Sequence, residues 1–133
     1  MRCAVAATLT GSWLPVAADV SGRQLVVAQL RVARLIIERD GYQIVDHAGQ
    51  VVDSGELQLD ETAFPCALDM VGMHGPHAGG RLLAIIELDA DRLCVCYDLE
   101  RGERPSSMQP GRDQLLLSIT YVRAAATFSS ALS

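Results

Sequence analysis

Apolar and polar residues alternate with a period of two along much of this chain, in short runs separated by turn residues. The clearest run, residues 51–60, sets Val51, Gly55, Leu57 and Leu59 on one side against Ser54, Glu56, Gln58 and Asp60 on the other. That is the pattern of a strand with one buried face. Comparable stretches at 11–20, 34–39, 42–47, 50–59, 67–71, 81–88, 92–97 and 114–123 predict about eight strands. Asp40-Gly41, Ala48-Gly49 and Asp89-Ala90-Asp91 are tight-turn sequences, and hairpins in succession imply an antiparallel meander. A meander of this count closes most naturally on itself. The predicted fold class is all-β, an up-and-down antiparallel barrel of about eight strands.

Two stretches break the pattern. Residues 25–33 (LVVAQLRVA) carry apolar side chains at mixed spacing after Ser21-Gly22-Arg23, which predicts one short helix between the first two strands, capping a barrel mouth. Residues 98–113 form the longest segment without strand character, and loops of that length tend to be functional or mobile. A single domain is expected over residues 11–123, with an N-terminal leader at 1–10 and a flexible tail at 124–133. Along the sixth strand Leu82, Ala84, Ile86 and Leu88 form the inner face, yet Leu83 and Ile85 lie on the outer one. Apolar residues on both faces call for a covering layer, and a second copy of the chain is the simplest candidate, so a homodimer is expected.

Composition narrows the class of partner. Half of the 133 residues are hydrophobic and only 20% are charged, which is ample material for one core and argues against disorder. The net charge is −5, and the 11 basic residues, all arginine, are scattered singly. A nucleic-acid surface needs a dense cationic footprint, and an anionic membrane would repel this chain. The first residues are too short for a secretory signal, and no run approaches the ~20 apolar residues of a membrane helix. The expected location is the cytoplasm, and the four cysteines, Cys3, Cys66, Cys94 and Cys96, are accordingly read as free, buried thiols.

Gly11-Ser12-Trp13 opens the first strand and Arg123 closes the last. In a closed barrel these meet at one end, the layout of the lipocalin kind, where the guanidinium lies over the indole. Further motifs follow in order: Gly75-Pro76 and Gly79, then Ile86-Glu87-Leu88-Asp89-x-Asp91-x-Leu93, then Arg104-Pro105. With these, the run from Leu9 to Arg123 resembles a small bacterial domain family first catalogued in planctomycetes and classed as lipocalin-like. The resemblance implies a fold and carries no activity across. It also departs from the family after Arg104-Pro105, where Ser106, Ser107 and Met108 replace a bulky apolar residue, so the long loop is expected to sit differently.

No residue set spells out a reaction. Met73-His74-Gly75-Pro76-His77 supplies two imidazoles without a third ligand, and Cys94-x-Cys96 lacks the second pair that structural zinc uses. Nucleophilic catalysis needs a base beside a Cys or Ser, and His47, His74 and His77 lie at a hairpin edge or in a loop. The glycine-rich stretch 72–80 opens no helix and so makes no phosphate cradle. The chain is read as no enzyme, with no cofactor and no metal. Arg104 is the one polar candidate: over a barrel mouth it would offer its fork to an anionic head group, although pairing with Glu100 or Glu103 is the favoured role.

Two uses of such a barrel remain. One is a binding module in which Tyr42, Leu57, Leu59, Leu82, Ala84, Ile86 and Tyr97, together with Leu35 and Ile37, surround a small hydrophobic ligand, with Arg104 at the rim. The other is a structural or protein-interaction domain whose interior is filled by side chains and whose outer face at Leu83 and Ile85 pairs two copies.

Overall fold

The computed structural model describes residues 9–38, 40–63, 65–75, 78–99, 103–107 and 115–124. Cys3, His77, Glu100 and the tail beyond Ala124 lie outside them. The strands are β1 (Gly11–Val20), β2 (Arg23–Gln24), β3 (Arg34–Glu38), β4 (Gly41–Val45), β5 (Val51–Asp60), β6 (Cys66–His74), β7 (Arg81–Asp89), β8 (Arg92–Asp98) and β9 (Leu116–Arg123). Each pairs antiparallel with the next in the order β2-β1-β3-β4-β5-β6-β7-β8-β9, and β1 also pairs with β9. That last pairing closes β1 and β3 to β9 into an eight-stranded up-and-down barrel, as the alternation predicts, and leaves β2 as a short extra strand beside β1.

The closure runs from Trp13↔Arg123 to Val20↔Leu117 and slips by one residue between Pro15 and Ala17. A proline has no N–H to give to a ladder, so a bulge is where a closed barrel tolerates one. Similar slips occur in β4–β5, between Ile44 and Val45, and in β5–β6, between Ser54 and Gly55. Gly55 is required at the second of these, because a Cβ there would strike the Val71 carbonyl.

The turn chemistry is local. Asp46 Oδ1 accepts from the Ala48 and Gln50 amides, both at 2.9 Å, and Gly49 takes φ +85, an Asx-type turn finished by glycine. The helix predicted between the first strands is instead β2 followed by a single 3₁₀ turn, Val27–Gln29, whose N-cap Val26 offers no side-chain hydrogen bond. Without a capping side chain, and with β-branched Val26 and Val27 at its start, the segment lacks what starts an α-helix.

Inward-facing side chains of every barrel strand build the core, with Trp13, Ala84 and Leu93 at 0% exposure. The indole plugs one end. Its Nε1–H donates to the Leu9 carbonyl at 2.9 Å, so Leu9 belongs to the packed fold although the sequence places it in the leader. At that same end Arg123 stacks on Trp13, and its Nε–H donates to Asp91 in the β7–β8 turn at 3.0 Å.

Outside the barrel a second, smaller cluster joins Ile85, Cys96 and Leu116. All three are already buried within one chain. Arg104 holds the long loop down on this side, donating to the Ala84 carbonyl at 2.9 Å and pairing with Asp69.

Candidate functional site

Between the Trp13 plug and the opposite mouth, the interior is not filled. A cavity of about 220 Å³ remains. Leu35 and Ile37 of β3, Ile44 of β4, Leu57 of β5 and Leu68 and Met70 of β6 form one side of it. Leu82 of β7, Leu93 and Val95 of β8, and Leu117 and Ile119 of β9 form the other. Leu30, Arg31 and Val32, which follow the 3₁₀ turn, close over the mouth. His47 secures this strap, its Nε2 donating to the Leu30 carbonyl at 3.0 Å, and the Ala33 amide donates to the Val45 carbonyl at 2.8 Å.

Against this apolar wall stand the phenols of Tyr42, Tyr97 and Tyr121 and the carboxyl of Asp53. Asp53 is only 5% exposed. Burial pushes the Tyr42 hydroxyl up to about 12, with the nearby Asp53 charge adding to it. The same two causes raise Tyr97. Tyr121 is raised further, mainly by burial. All three phenols therefore keep their protons at ordinary pH, each able to donate and accept a hydrogen bond.

Of the residues predicted to line a ligand site, Tyr42, Leu57, Leu82 and Tyr97 do so. Leu59, Ala84 and Ile86 pack in the main core without reaching the cavity. Arg104 is a correction. Asp69, its partner, lies on the outward parity of β6 between inward Leu68 and Met70, so the guanidinium sits on the outer wall and pins the loop. Pinning the loop is the role the sequence favours for it, and the partner seen here is Asp69; Glu100, one of the two partners the sequence offers, lies outside the described residues. Gly11, Trp13 and Arg123 form the barrel end as predicted.

Among the polar residues of the cavity, Arg31, Asp53 and Tyr121 were missed. Arg31 falls in the segment read as helix. Asp53 has the parity of Leu57 and Leu59, which was signal enough to place it inside, while Val51, grouped with them in the sequence, is 52% exposed. The β4–β5 slip explains the exchange: Ile44 opposes Asp53 and Val45 opposes Val51, so Val52 is an extra residue that resets the alternation.

The other candidate groups do not converge. His74 Nδ1 lies 3.3 Å from Ser54 Oγ on the outer surface, and among the described residues no group of three or more His, Cys, Asp or Glu could hold a metal ion. Cys94 and Cys96 are free, and burial raises both thiols, the opposite of a reactive thiolate. Cys66 is disulfide-bonded, which corrects the reading of all four cysteines as free thiols.

Comparison of the chain with known protein families, with curated proteins and with solved structures returns no match.

Proposed function

We propose that this barrel is a ligand-binding module that holds one small, mostly apolar molecule in its interior. The observation that carries this reading is the cavity of about 220 Å³ with its aliphatic wall. Close packing is the rule in protein interiors, where voids larger than a water molecule are few. An apolar cavity of ~150 Å³ stays dry and admits benzene, so a space somewhat larger suits a ring with a short arm. Drug-sized ligands ask for ~300 to 1,000 Å³, and long acyl chains are correspondingly poor candidates.

The competing reading, a filled barrel acting as a homodimer through its outer face, draws on the apolar residues of β7 and β8. Ile85 and Cys96 are already buried within one chain, which gives that reading less support than the cavity gives the first. Calorimetric titration with a small aromatic hydrocarbon tests the proposal. Saturable binding at one site per chain is expected, and heats of dilution alone would overturn it.

A further inference from the structure

Asp53 brings a carboxylate to a mostly apolar wall, and the strand register explains what it faces. Tyr42 stands opposite Gly55 in the β4–β5 ladder, and Asp53, two residues along on the same inward face, stands opposite Ile44. Gly55 has no side chain to separate them. Tyr42 and Asp53 are thus diagonal neighbours on one wall, a separation that an aromatic side chain spans. Tyr97 enters from β8 and lines the same cavity. The Asp53 charge adds to the upward shift of both phenols, in keeping with three groups that line one cavity.

We propose that Asp53, with Tyr42 and Tyr97, is a head-group site that selects ligands carrying a protonated amine on a small apolar body over carboxylates of the same shape. This rests on the reading of the barrel as a ligand-binding module and names the class of molecule it takes. A charge-assisted hydrogen bond from an ammonium to a carboxylate is about twice as strong as a neutral one, and the two phenols supply further acceptors for its remaining protons. An anionic head in the same place meets a like charge at low dielectric and is expelled. Asp53 also interacts within the protein; a carboxylate offers about four lone-pair positions on its two oxygens, among which a ligand's ammonium would find its acceptor. The cavity's cation, Arg31, is exposed at the mouth. An acidic ligand would therefore find its counter-charge in water, where an ion pair contributes little.

The test is a set of titrations of the full chain near neutral pH with four probes of one body: ethylbenzene, phenethyl alcohol, phenethylamine and hydrocinnamate. The amine is expected to bind about tenfold or more tightly than ethylbenzene, and the acid more weakly than either. Asp53→Asn should abolish the amine's advantage while leaving ethylbenzene affinity in place. Should that variant not fold, Tyr97→Phe keeps the ring and should weaken the amine several-fold without affecting ethylbenzene. Binding of ethylbenzene with equal or weaker binding of the amine, or a preference for the acid, overturns the head-group site and leaves the binding module standing. Failure of all four probes overturns both.

Discussion

The guanidinium carbon of Arg123 lies 4.3 Å from the centroid of the Trp13 ring, and the same two residues are Cα partners across the seam where β1 meets β9. One residue pair thus closes the sheet through its backbone and plugs the barrel through its side chains. Arg123 Nη1 also donates to the Thr10 carbonyl at 2.9 Å. A half-exposed cation over an indole contributes ~0.5 to 2 kcal/mol, and the hydrogen bonds lost with it add to that. Arg123→Ala should lower unfolding stability by about 1 to 3 kcal/mol. Urea denaturation checks this: the midpoint should fall with the slope unchanged. Arg123→Lys, lacking the planar fork, should recover only part of the loss.

Gly11 makes that stacking sterically feasible. Its φ is +143, and a Cβ there would come within 2.8 Å of Arg123 Nη1. Gly11→Ala should cost about 1 to 3 kcal/mol through backbone strain and through displacement of the guanidinium. Only the second part depends on Arg123. A double-mutant cycle with Arg123→Ala should therefore give less destabilisation than the sum of the single variants. Strict additivity would mean that the glycine acts through its backbone alone.

Arg104 holds the loop over the outer face of β6 and β7, beside the cluster that contains Cys96. Cys96 is 0% exposed and its thiol is raised by burial, so it should react only when this layer opens. In a Cys94→Ser background, Arg104→Ala is expected to speed labelling of Cys96 by a thiol reagent by about tenfold or more, as the loss of one partly exposed charged contact implies. An unchanged labelling rate would show that the cover does not depend on Arg104.

Buried tyrosines set an alkaline limit. Tyr42 titrates at about 12 in the folded protein against an ordinary 10.0, and Tyr97 is shifted the same way. The folded state holds these protons where the unfolded chain has released them, so the contribution to stability is complete below about pH 10 and is lost between about pH 10 and 12. Denaturation midpoints should fall across that window, and the fall should be shallower in Tyr42→Phe. A midpoint equally pH-dependent in both proteins would contradict the assignment.

The barrel was legible because half-buried antiparallel strands print their burial directly as alternation, and because Asp40-Gly41 and Ala48-Gly49 mark hairpins through chemistry local to the turn. The Trp13 and Arg123 end was legible for the same reason, since each sits at the end of a strand. What escaped depends on register. One extra residue at Val52 moves Val51 to the surface, and nothing in β5 read alone announces the slip, which arises from its pairing with β4. Arg104 escaped similarly: its partner Asp69 is distant in sequence and adjacent only after the barrel has closed. The strap at Leu30 to Val32 depends on His47, a contact between two loops that neither loop encodes.

The central claim is that the space enclosed by the barrel is a binding site, and one comparison tests it most directly. Val95 lines that space, and Val95→Phe should fill part of it. Thermal unfolding midpoints of the two proteins are to be measured against increasing ethylbenzene. A ligand that binds the native state alone stabilises it by about 2.7 kcal/mol at a hundred times its dissociation constant, so the midpoint of the natural chain should climb with concentration, while the folded Val95→Phe chain stays flat. A flat response in the natural chain, or an equal climb in both, would contradict the account.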